Sequence, residues 1–317
     1  MSSVNTMKAI QIHQYGGKEV LSYQDSPVPA IAENQILIKV IATSVNPVDW
    51  KIREGYLQQM IDYPMPFIPG WDVAGIVEQV GSQVRQFTIG DAVYSRPNIM
   101  KNGSYAEYIA VDAIEVASKP ATLSFMEAAS VPLAGITAWE SLFTAADLQA
   151  GQTVLIHAGS GGVGSLAIQL AKHKGAKVIT TTSAKNHDFV ASLGADEVID
   201  YTSVDFKTVV KAVDVVFDTV GGQVLQDSFA VIKPGGMLVS IVETPDGQKA
   251  AQNDIRTEFV MIQPNATILQ QLADLIDSGH VRPIVGAEFG LADIAKAHEL
   301  SQSGRAKGKI VIHVAAL

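Results

Sequence analysis

The sequence predicts a two-domain α/β protein, in which a β-rich domain accompanies a domain built on a doubly wound parallel sheet. Three observations predict this fold class. Residues 7 to about 118 are short apolar runs separated by turn signals, residues 153–242 alternate between strand and helix patterns, and a glycine-rich loop follows the first of those later strands. With 317 residues, 47% of them hydrophobic, the chain can build two cores.

The N-terminal region has an all-β pattern with few helices. Its clearest strand candidates are "QILIKVIA" (35–42), "DVAGIVEQVG" (72–81) and "SYAEYIAV" (104–111), which are rich in β-branched or aromatic residues. Turn signals such as "QYGGKE" and "TIGDAV" separate them. We therefore expect a β-rich domain over residues 1–124.

The pattern changes near residue 124, where a helical segment (124–148) is interrupted at Pro132. Strands then alternate with helices, and we predict a parallel sheet covered on both faces. The predicted strands are "TVLIHA" (153–158), "KVITTT" (177–182), "EVID" (197–200), "VDVVFDTV" (213–220) and "GMLVSIV" (236–242). The parallel-sheet domain is predicted over 125–265.

The last part of the chain, from Ala266, contains two helical patterns and a closing strand "KGKIVIHV" (307–314). This strand cannot easily extend the parallel series. We therefore expect it to return to the β-rich domain, which then comprises residues 1–124 and 266–317.

Composition and charge exclude several classes of function. Net charge is −9 with no basic run, so nucleic acid and anionic membranes are poor partners. No stretch approaches the roughly 18 apolar residues of a membrane span, and the N-terminus lacks an apolar signal segment, so we expect a cytoplasmic protein. Cysteine is absent and the seven histidines are dispersed, so no metal site is predicted.

The loop "AGSGGVG" (158–164) is the strongest functional signal. Its glycines satisfy G-x-G-x-x-G, a spacing that allows a tight turn, close approach of a pyrophosphate and close packing of helix on strand. A helix that opens at Gly164 would hold the anion at its N-terminus. The alternative is a tight turn without a ligand. The predicted dinucleotide-binding residues are Gly159, Ser160, Gly161, Gly162, Val163 and Gly164.

The end of the second strand indicates which dinucleotide is bound. NAD-specific folds place an acid about 20 residues past the loop, whereas Thr182 or Ser183 stands here, with Lys185 and Asn186 just beyond. Hydroxyl, ammonium and amide groups suit a 2′-phosphate, and Tyr201 could also reach it. The alternative is a solvated lysine in a loop. The sequence therefore predicts NADP(H).

Taken together, the motifs resemble those of medium-chain dehydrogenases/reductases, specifically the zinc-free quinone oxidoreductase and enone reductase branch. The resemblance spans nearly the whole chain and implies a GroES-like catalytic domain with a Rossmann domain. It rests on "SVNPVDWKIREG" (44–55), "FIPGWDVAGIVEQVG" (67–81), "GDAVY" (90–94), "GSYAEY" (103–108), "SVPLAGITAWESL" (130–142), "AGSGGVG" (158–164), "LGADEVIDY" (193–201) and "GRAKGKIVI" (304–312).

The departures from the zinc enzymes of this family are equally informative. Those enzymes place a cysteine where Asn46 stands, a G-H-E where "GWD" (70–72) stands, and four cysteines in a lobe near residue 97. This chain has no cysteine at all. The resemblance therefore implies that zinc-dependent alcohol chemistry is absent.

The resemblance also implies a substrate cleft with the nicotinamide at its base. Asn46, Asp49 and Lys51 would line it, and Tyr56 is a looser candidate. The implied further cofactor contacts are Thr137, Gly221, Gly304 and Lys309. For Asn46 and Asp49 the alternative is a role as cap and first-turn residues of a helix that begins at the Asn–Pro pair. For Tyr56 it is an ordinary half-buried tyrosine.

The expected function is NADPH-dependent reduction of a small-molecule quinone or α,β-unsaturated carbonyl. Hydride would reach the β-carbon of an enone, and Lys51, Asn46 or a cofactor hydroxyl would stabilise the negative charge on the carbonyl oxygen. Water could then protonate the enolate. The alternatives are an enoyl-thioester reductase and a non-catalytic NADP(H)-binding sensor or structural protein. A homodimer is expected.

Overall fold

A computed structural model describes residues 6–316, which form two compact units. Unit 1 contains the residues up to Leu133, together with Gln263–Ser278 and the chain from Pro283 onwards. Unit 2 contains Ala134–Ile262 and Gly279–Arg282. The boundaries predicted from the sequence for the second domain, residues 125 and 265, differ from these.

Strands and helices are numbered here in chain order. The strands are β1 (Thr6–Gln11), β2 (Ser22–Pro27), β3 (Gln35–Val45), β4 (Val73–Val80), β5 (Ala92–Ser95), β6 (Tyr108–Asp112), β7 (Val116–Ser118), β8 (Thr153–Ile156), β9 (Lys177–Thr182), β10 (Glu197–Asp200), β11 (Val213–Asp218), β12 (Ile232–Ser240), β13 (Arg256–Phe259), β14 (Val285–Gly290) and β15 (Lys309–His313). The α-helices are α1 (Pro47–Arg53), α2 (Phe125–Ala129), α3 (Pro132–Trp139), α4 (Gly162–His173), α5 (His187–Ser192), α6 (Phe206–Val209), α7 (Gly222–Ser228), α8 (Gly247–Gln252), α9 (Ala266–Asp277) and α10 (Ile294–Gln302).

Unit 2 contains a parallel sheet with the strand order β10-β9-β8-β11-β12-β13. This is the doubly wound order of a dinucleotide-binding fold, in which ligands bind outside the carboxyl ends of the strands where the order reverses. The reversal lies between β8 and β11. Apolar side chains such as Leu155 and Val216 on these strands are fully buried in the core of this unit. The predicted parallel-sheet domain is confirmed.

The helix after the glycine loop begins earlier than predicted. The predicted start is Gly164, but α4 begins at Gly162 with Gly161 as the N-cap residue. The amide of Ser165 already donates to the carbonyl of Gly161 at 3.0 Å, which is the first i→i−4 bond. That expectation was wrong because glycine, although a poor helix former, tolerates the first turn, where packing on the sheet decides the conformation.

Unit 1 contains a mainly antiparallel sheet with the strand order β14-β15-β3-β4-β5-β7, and β6 also pairs with β3. The terminal strand β15 is antiparallel to β3, with Ile310 opposite Val45. The expected return of the last strand to the β-rich domain is therefore confirmed. Strand β14, which is parallel to β15, was not predicted.

Helix α1 follows directly from β3, and its position decides where the polar residues of unit 1 lie. Asn46 has extended backbone, and Pro47 then supplies a φ suited to the first helical position. The Asp49 carboxylate accepts a hydrogen bond from the Asn46 amide at 2.8 Å, as in the acidic half of a capping box. Between residues 6 and 316, no helix combines the length and apolar character needed to cross a bilayer.

Candidate active site

The glycines of the loop in unit 2 serve different purposes. A Cβ on Gly159 would lie 2.1 Å from Thr180 Oγ1, and one on Gly164 would lie 2.4 Å from the Ala158 carbonyl oxygen. Gly159 is therefore required by packing of the loop on β9, and Gly164 by packing of α4 on the loop backbone. A Cβ on Gly161 would meet only the Ala158 carbonyl oxygen, at 3.3 Å. The space in front of Gly161 is thus left free by the protein.

The N-terminus of α4 has the properties of an anion site. Gly161 offers no side-chain cap, and the first turn contains no acid. The unpaired amides and the helix dipole therefore remain available to a negatively charged group. Together with the open space at Gly161, the residues of this loop fit a dinucleotide pyrophosphate. Gly162 and Val163 lie in this first turn, and their contact with a cofactor stays a prediction.

A set of polar side chains gathers at the carboxyl end of β9. Ser160 Oγ accepts hydrogen bonds from Thr182 Oγ1 at 3.0 Å and from Asn186 Nδ2 at 3.2 Å. Asn186 Nδ2 also lies 3.4 Å from Ser183 Oγ. Lys185 is exposed in the short turn after β9. The structure thus brings together Ser160, Thr182, Ser183 and Asn186, and the exposed Lys185 precedes Asn186 in the chain.

An acid on the neighbouring strand also contacts this turn, and sequence reasoning missed it. The Asp200 carboxylate accepts hydrogen bonds from Thr202 Oγ1 and Ser203 Oγ and from the Ala184 amide, and these lower its pKa. The Asp200 carboxylate thus stabilises this turn through hydrogen bonds that it accepts from nearby residues. Tyr201, the next residue, is 62% exposed, and its amide donates to the Thr182 carbonyl.

The turn after β11 is held by a buried acid. Asp218 accepts hydrogen bonds from the Gly221 amide at 3.0 Å and from Ser240 Oγ at 2.8 Å. Gly221 has a φ of +80°, a conformation that favours glycine. This turn lies at the same carboxyl edge of the sheet as the glycine loop, because Thr219 Oγ1 donates to the His157 carbonyl. Gly221 is thus fixed at this edge by Asp218.

In unit 1, a buried polar cluster surrounds Asn46. Asn46 Nδ2 donates to Asp72 Oδ2 at 2.7 Å, and the Lys309 ammonium contacts both Asn46 Oδ1, at 2.5 Å, and Asp72 Oδ2, at 3.2 Å. Asp72 also accepts hydrogen bonds from Ser44 Oγ at 2.5 Å and from the Leu133 amide at 2.7 Å. The ammonium of Lys309, an expected cofactor contact, is therefore bonded within unit 1.

Asp49 begins a second buried network. Its Oδ2 accepts a hydrogen bond from the Tyr105 hydroxyl at 2.6 Å, and that hydroxyl lies 3.3 Å from His298 Nε2. His298 Nδ1 lies 3.0 Å from Arg53 Nη1, a donor, so the imidazole proton is on Nε2. Burial raises the pKa of Asp49 to about 7 and lowers that of His298 to about 3.

The raised pKa of Asp49 predicts a pH dependence of stability. Between pH ~4 and ~7 the folded state keeps a proton on Asp49 that the unfolded chain releases, so ionisation favours unfolding as pH rises. The free energy of unfolding of the wild type should therefore fall relative to Asp49→Asn by a few kcal/mol, at about 1.4 kcal/mol per pH unit. Urea unfolding of both proteins at intervals across this range measures the difference.

The two buried histidines do not affect the difference in unfolding free energy between wild type and Asp49→Asn. His157 and His298 have lowered pKa values, of about 4 and about 3, so each makes stability rise with pH up to its ordinary value near 6.5. Both are present in wild type and variant, so their contributions cancel in the difference. A difference that stays flat from pH 4 to pH 7 would show that Asp49 is ionised throughout.

The remaining predicted residues differ in the exposure and the contacts of their side chains. Lys51 is half-buried and lies 5.8 Å from the centre of the Trp50 ring; among residues 6–316 its ammonium has no hydrogen-bond or ion-pair partner. Tyr56 is 67% exposed and contacts the edge of Trp50. Thr137 is buried in α3 of unit 2, and Gly304 lies in an exposed turn with a φ of +65°. Lys51 thus offers an uncommitted cation.

The side chains at these sites do not fit a zinc ion. No cysteine is present in the chain, and the described part of it contains no group of three or more histidine, aspartate or glutamate side chains that could hold a metal ion. At the Asn46 cluster, the ammonium of Lys309 is a donor without a lone pair and cannot be a ligand.

Sequence reasoning missed the partners of these residues. Asp72 was noted only as a departure from the zinc enzymes, and Tyr105 and His298 were not considered as site residues. The one signal for Asp72 is a charged residue inside the apolar run "FIPGWDVAGIV" (67–77). Such a charge in a buried segment requires a partner.

Comparison with known proteins agrees with the fold of the two units. Residues 32–121 match the alcohol dehydrogenase GroES-like domain, and residues 193–312 match a zinc-binding dehydrogenase domain. A tomato (Solanum lycopersicum) protein named 2-methylene-furan-3-one reductase is 40% identical over 99% of this chain and 80% of its own length.

An Arabidopsis thaliana protein named NADPH-dependent alkenal/one oxidoreductase, chloroplastic, is 39% identical over 97% of this chain and 79% of its own length. The solved structure of the quinone oxidoreductase from Coxiella burnetii superposes with a TM-score of 0.91 at 38% identity, covering 98% of this chain and all of the other. The chain belongs to the medium-chain dehydrogenase/reductase family of oxidoreductases, in its quinone oxidoreductase and enone reductase branch.

Proposed function

We propose that this protein reduces quinones or α,β-unsaturated carbonyl compounds with NADPH and without zinc. The observation that carries the proposal is the glycine loop at the sheet reversal of unit 2, where the space at Gly161 and the acid-free start of α4 suit a pyrophosphate. The names of the tomato and Arabidopsis relatives support the substrate class.

The choice of NADPH is supported by the turn after β9. Ser183 and Asn186 present hydroxyl and amide groups there, and the exposed Lys185 adds a positive charge. These groups suit a 2′-phosphate, which carries nearly two negative charges. The Arabidopsis relative is described as NADPH-dependent, which agrees with this choice.

The chemistry requires a substrate that is already electron-poor. NADPH held at the glycine loop would supply the hydride for the β-carbon of an enone, and negative charge would then develop on the carbonyl oxygen. In unit 1, the Asn46 amide and the Lys51 ammonium are donors that can stabilise this charge. Without a Lewis acid, a saturated aldehyde lacks the activation that conjugation gives, and a simple alcohol lacks a group that would favour its alkoxide for oxidation by NADP⁺. A proton from water then completes reduction at the α-carbon.

NADPH oxidation with a panel of substrates tests this proposal. We expect turnover with a small quinone and with a linear alkenal, and none with the matched saturated aldehyde or, using NADP⁺, with a simple alcohol. Incubation with a strong chelator should leave the rate unchanged. The control is the same panel without enzyme, because quinones oxidise NADPH slowly by themselves.

The alternative functions give different results in the same experiment. Turnover confined to enoyl thioesters would indicate an acyl-chain reductase. Tight NADPH binding without any turnover would indicate a sensor or structural role. Chelator-sensitive activity that zinc restores would contradict the zinc-free mechanism. The homodimer and the cytoplasmic location stay predictions.

A further inference from the structure

Lys309, Asn46 and Asp72 form a closed ring of polar contacts in unit 1. The Lys309 ammonium contacts Asn46 Oδ1 and Asp72 Oδ2, and Asn46 Nδ2 donates to the same Asp72 oxygen. All three side chains are buried, with relative exposures of 6% for Lys309, 2% for Asn46 and 0% for Asp72. Each member is therefore held by the other two, away from competing water.

The ring permits one orientation of the Asn46 amide. An ammonium group only donates hydrogen bonds and a carboxylate only accepts them, so the amide oxygen must face Lys309 and the amide nitrogen must face Asp72. Rotating the amide by half a turn would place its NH₂ group against the Lys309 ammonium, donor against donor, and its oxygen against the Asp72 carboxylate, acceptor against acceptor. Ser44 Oγ and the Leu133 amide fix the Asp72 carboxylate from the other side.

One donor of the ring remains uncommitted. An asparagine amide nitrogen carries two hydrogens, and the bond to Asp72 uses one of them. Among the described residues, the second N–H of Asn46 has no acceptor. Because the adjacent ammonium draws electron density towards the amide oxygen, this N–H is a stronger donor than that of a solvated asparagine.

We infer that Lys309 is a positioning residue, which acts with Asp72 to hold Asn46 so that its second N–H can meet the carbonyl oxygen of the substrate. This inference rests on the proposed function and selects Asn46 rather than Lys51 or a cofactor hydroxyl as the donor. It also gives Lys309 a role other than cofactor contact. Lys51 contacts the Trp50 ring, and within residues 6–316 its ammonium has no hydrogen-bond or ion-pair partner that would fix its position.

A double-mutant cycle on kcat tests whether Lys309 acts through Asn46. Loss of one such donor typically lowers kcat by about 10²-fold, so we expect this from Asn46→Ala. Lys309→Met should lower kcat by roughly tenfold or more with NADPH affinity unchanged. The double variant should be no slower than Asn46→Ala alone. Multiplicative losses, or wild-type kcat in Lys309→Met, would overturn the inference.

Two further variants separate positioning from folding. Lys309→Met leaves Asp72 buried without its cation, so Lys309→Met/Asp72→Asn removes both charges and should recover most of the lost melting temperature. Its kcat should nevertheless stay low; recovery of kcat together with stability would show that the ring is only structural. Lys307→Met, an exposed lysine two positions earlier on the chain, is the matched control and should behave as wild type.

A readout without substrate distinguishes failure of this inference from failure of the proposed function. NMR detects the two Nδ2 protons of Asn46, assigned by their loss in Asn46→Ala. We expect these protons to exchange with solvent at least about tenfold faster in Lys309→Met than in wild type. Equal exchange would refute positioning by Lys309. If the wild type reduces no enone or quinone, the proposed function fails, and the exchange rates still decide whether Lys309 orders Asn46.

Discussion

Gly161→Val is expected to weaken NADPH binding by about a hundredfold or more while the melting temperature stays within a few degrees of wild type. A hundredfold corresponds to about 2.7 kcal/mol. A side chain at this position meets only the Ala158 carbonyl oxygen of the protein itself, at 3.3 Å, so the fold tolerates it. The branched side chain instead fills the space that the pyrophosphate needs at the start of α4. Calorimetric titration with NADPH and thermal unfolding measure the two quantities.

Gly164→Ala is the control for this prediction. A Cβ there would lie 2.4 Å from the Ala158 carbonyl oxygen and 2.8 Å from Gly159 Cα, both backbone atoms that cannot move cheaply. We therefore expect loss of stability in unit 2 rather than a selective loss of binding. Unchanged NADPH affinity in a folded Gly161→Val protein would show that the loop is a turn without a ligand.

Replacing the polar groups after β9 should change the choice between NADPH and NADH. Lys185→Ala should weaken NADPH tenfold to a hundredfold and leave NADH nearly unchanged, because a hydrogen bond to a charged group contributes roughly 1.5–3 kcal/mol. Ser183→Asp should go further, since it repels the 2′-phosphate and offers a partner to a free 2′-hydroxyl. The NADPH/NADH ratio of kcat/KM in the wild type and both variants measures this.

The matched control is Lys211→Ala, which removes another exposed lysine of unit 2 and should leave the ratio unchanged. A wild type without preference for NADPH would contradict the assignment of the phosphate pocket. So would equal weakening of both cofactors in Lys185→Ala.

The parts of the fold predicted correctly are those determined by short, local patterns. Strands β8, β9 and β11 are rich in β-branched residues, and their alternation with helices indicates a parallel sheet. Strand β14 was missed because "VGAEFG" is short and contains two glycines, and its apolar residues Val285, Ala287 and Phe289 are only half-buried. Its place in the sheet depends on pairing with β15.

Only the part of the candidate site that is formed by a short local pattern was predicted. The glycine loop is contiguous, so its spacing could be seen directly. The ring in unit 1 joins Asn46 to Lys309 across 263 positions, and no local pattern links them. The raised pKa of Asp49 likewise depends on burial against Tyr105, and neither burial nor that contact can be seen in the sequence. Interactions between distant positions become visible only when the fold is known.

The central claim is that hydride passes from NADPH to the β-carbon of a conjugated substrate without zinc. The most direct test uses NADPH deuterated at both C4 positions, a linear alkenone and chelator-treated enzyme, with the product examined by NMR. We predict one deuterium at the β-carbon, none at the carbonyl carbon, and a saturated ketone as product. Deuterium at the carbonyl carbon, or product formation only after zinc is added, would contradict the account.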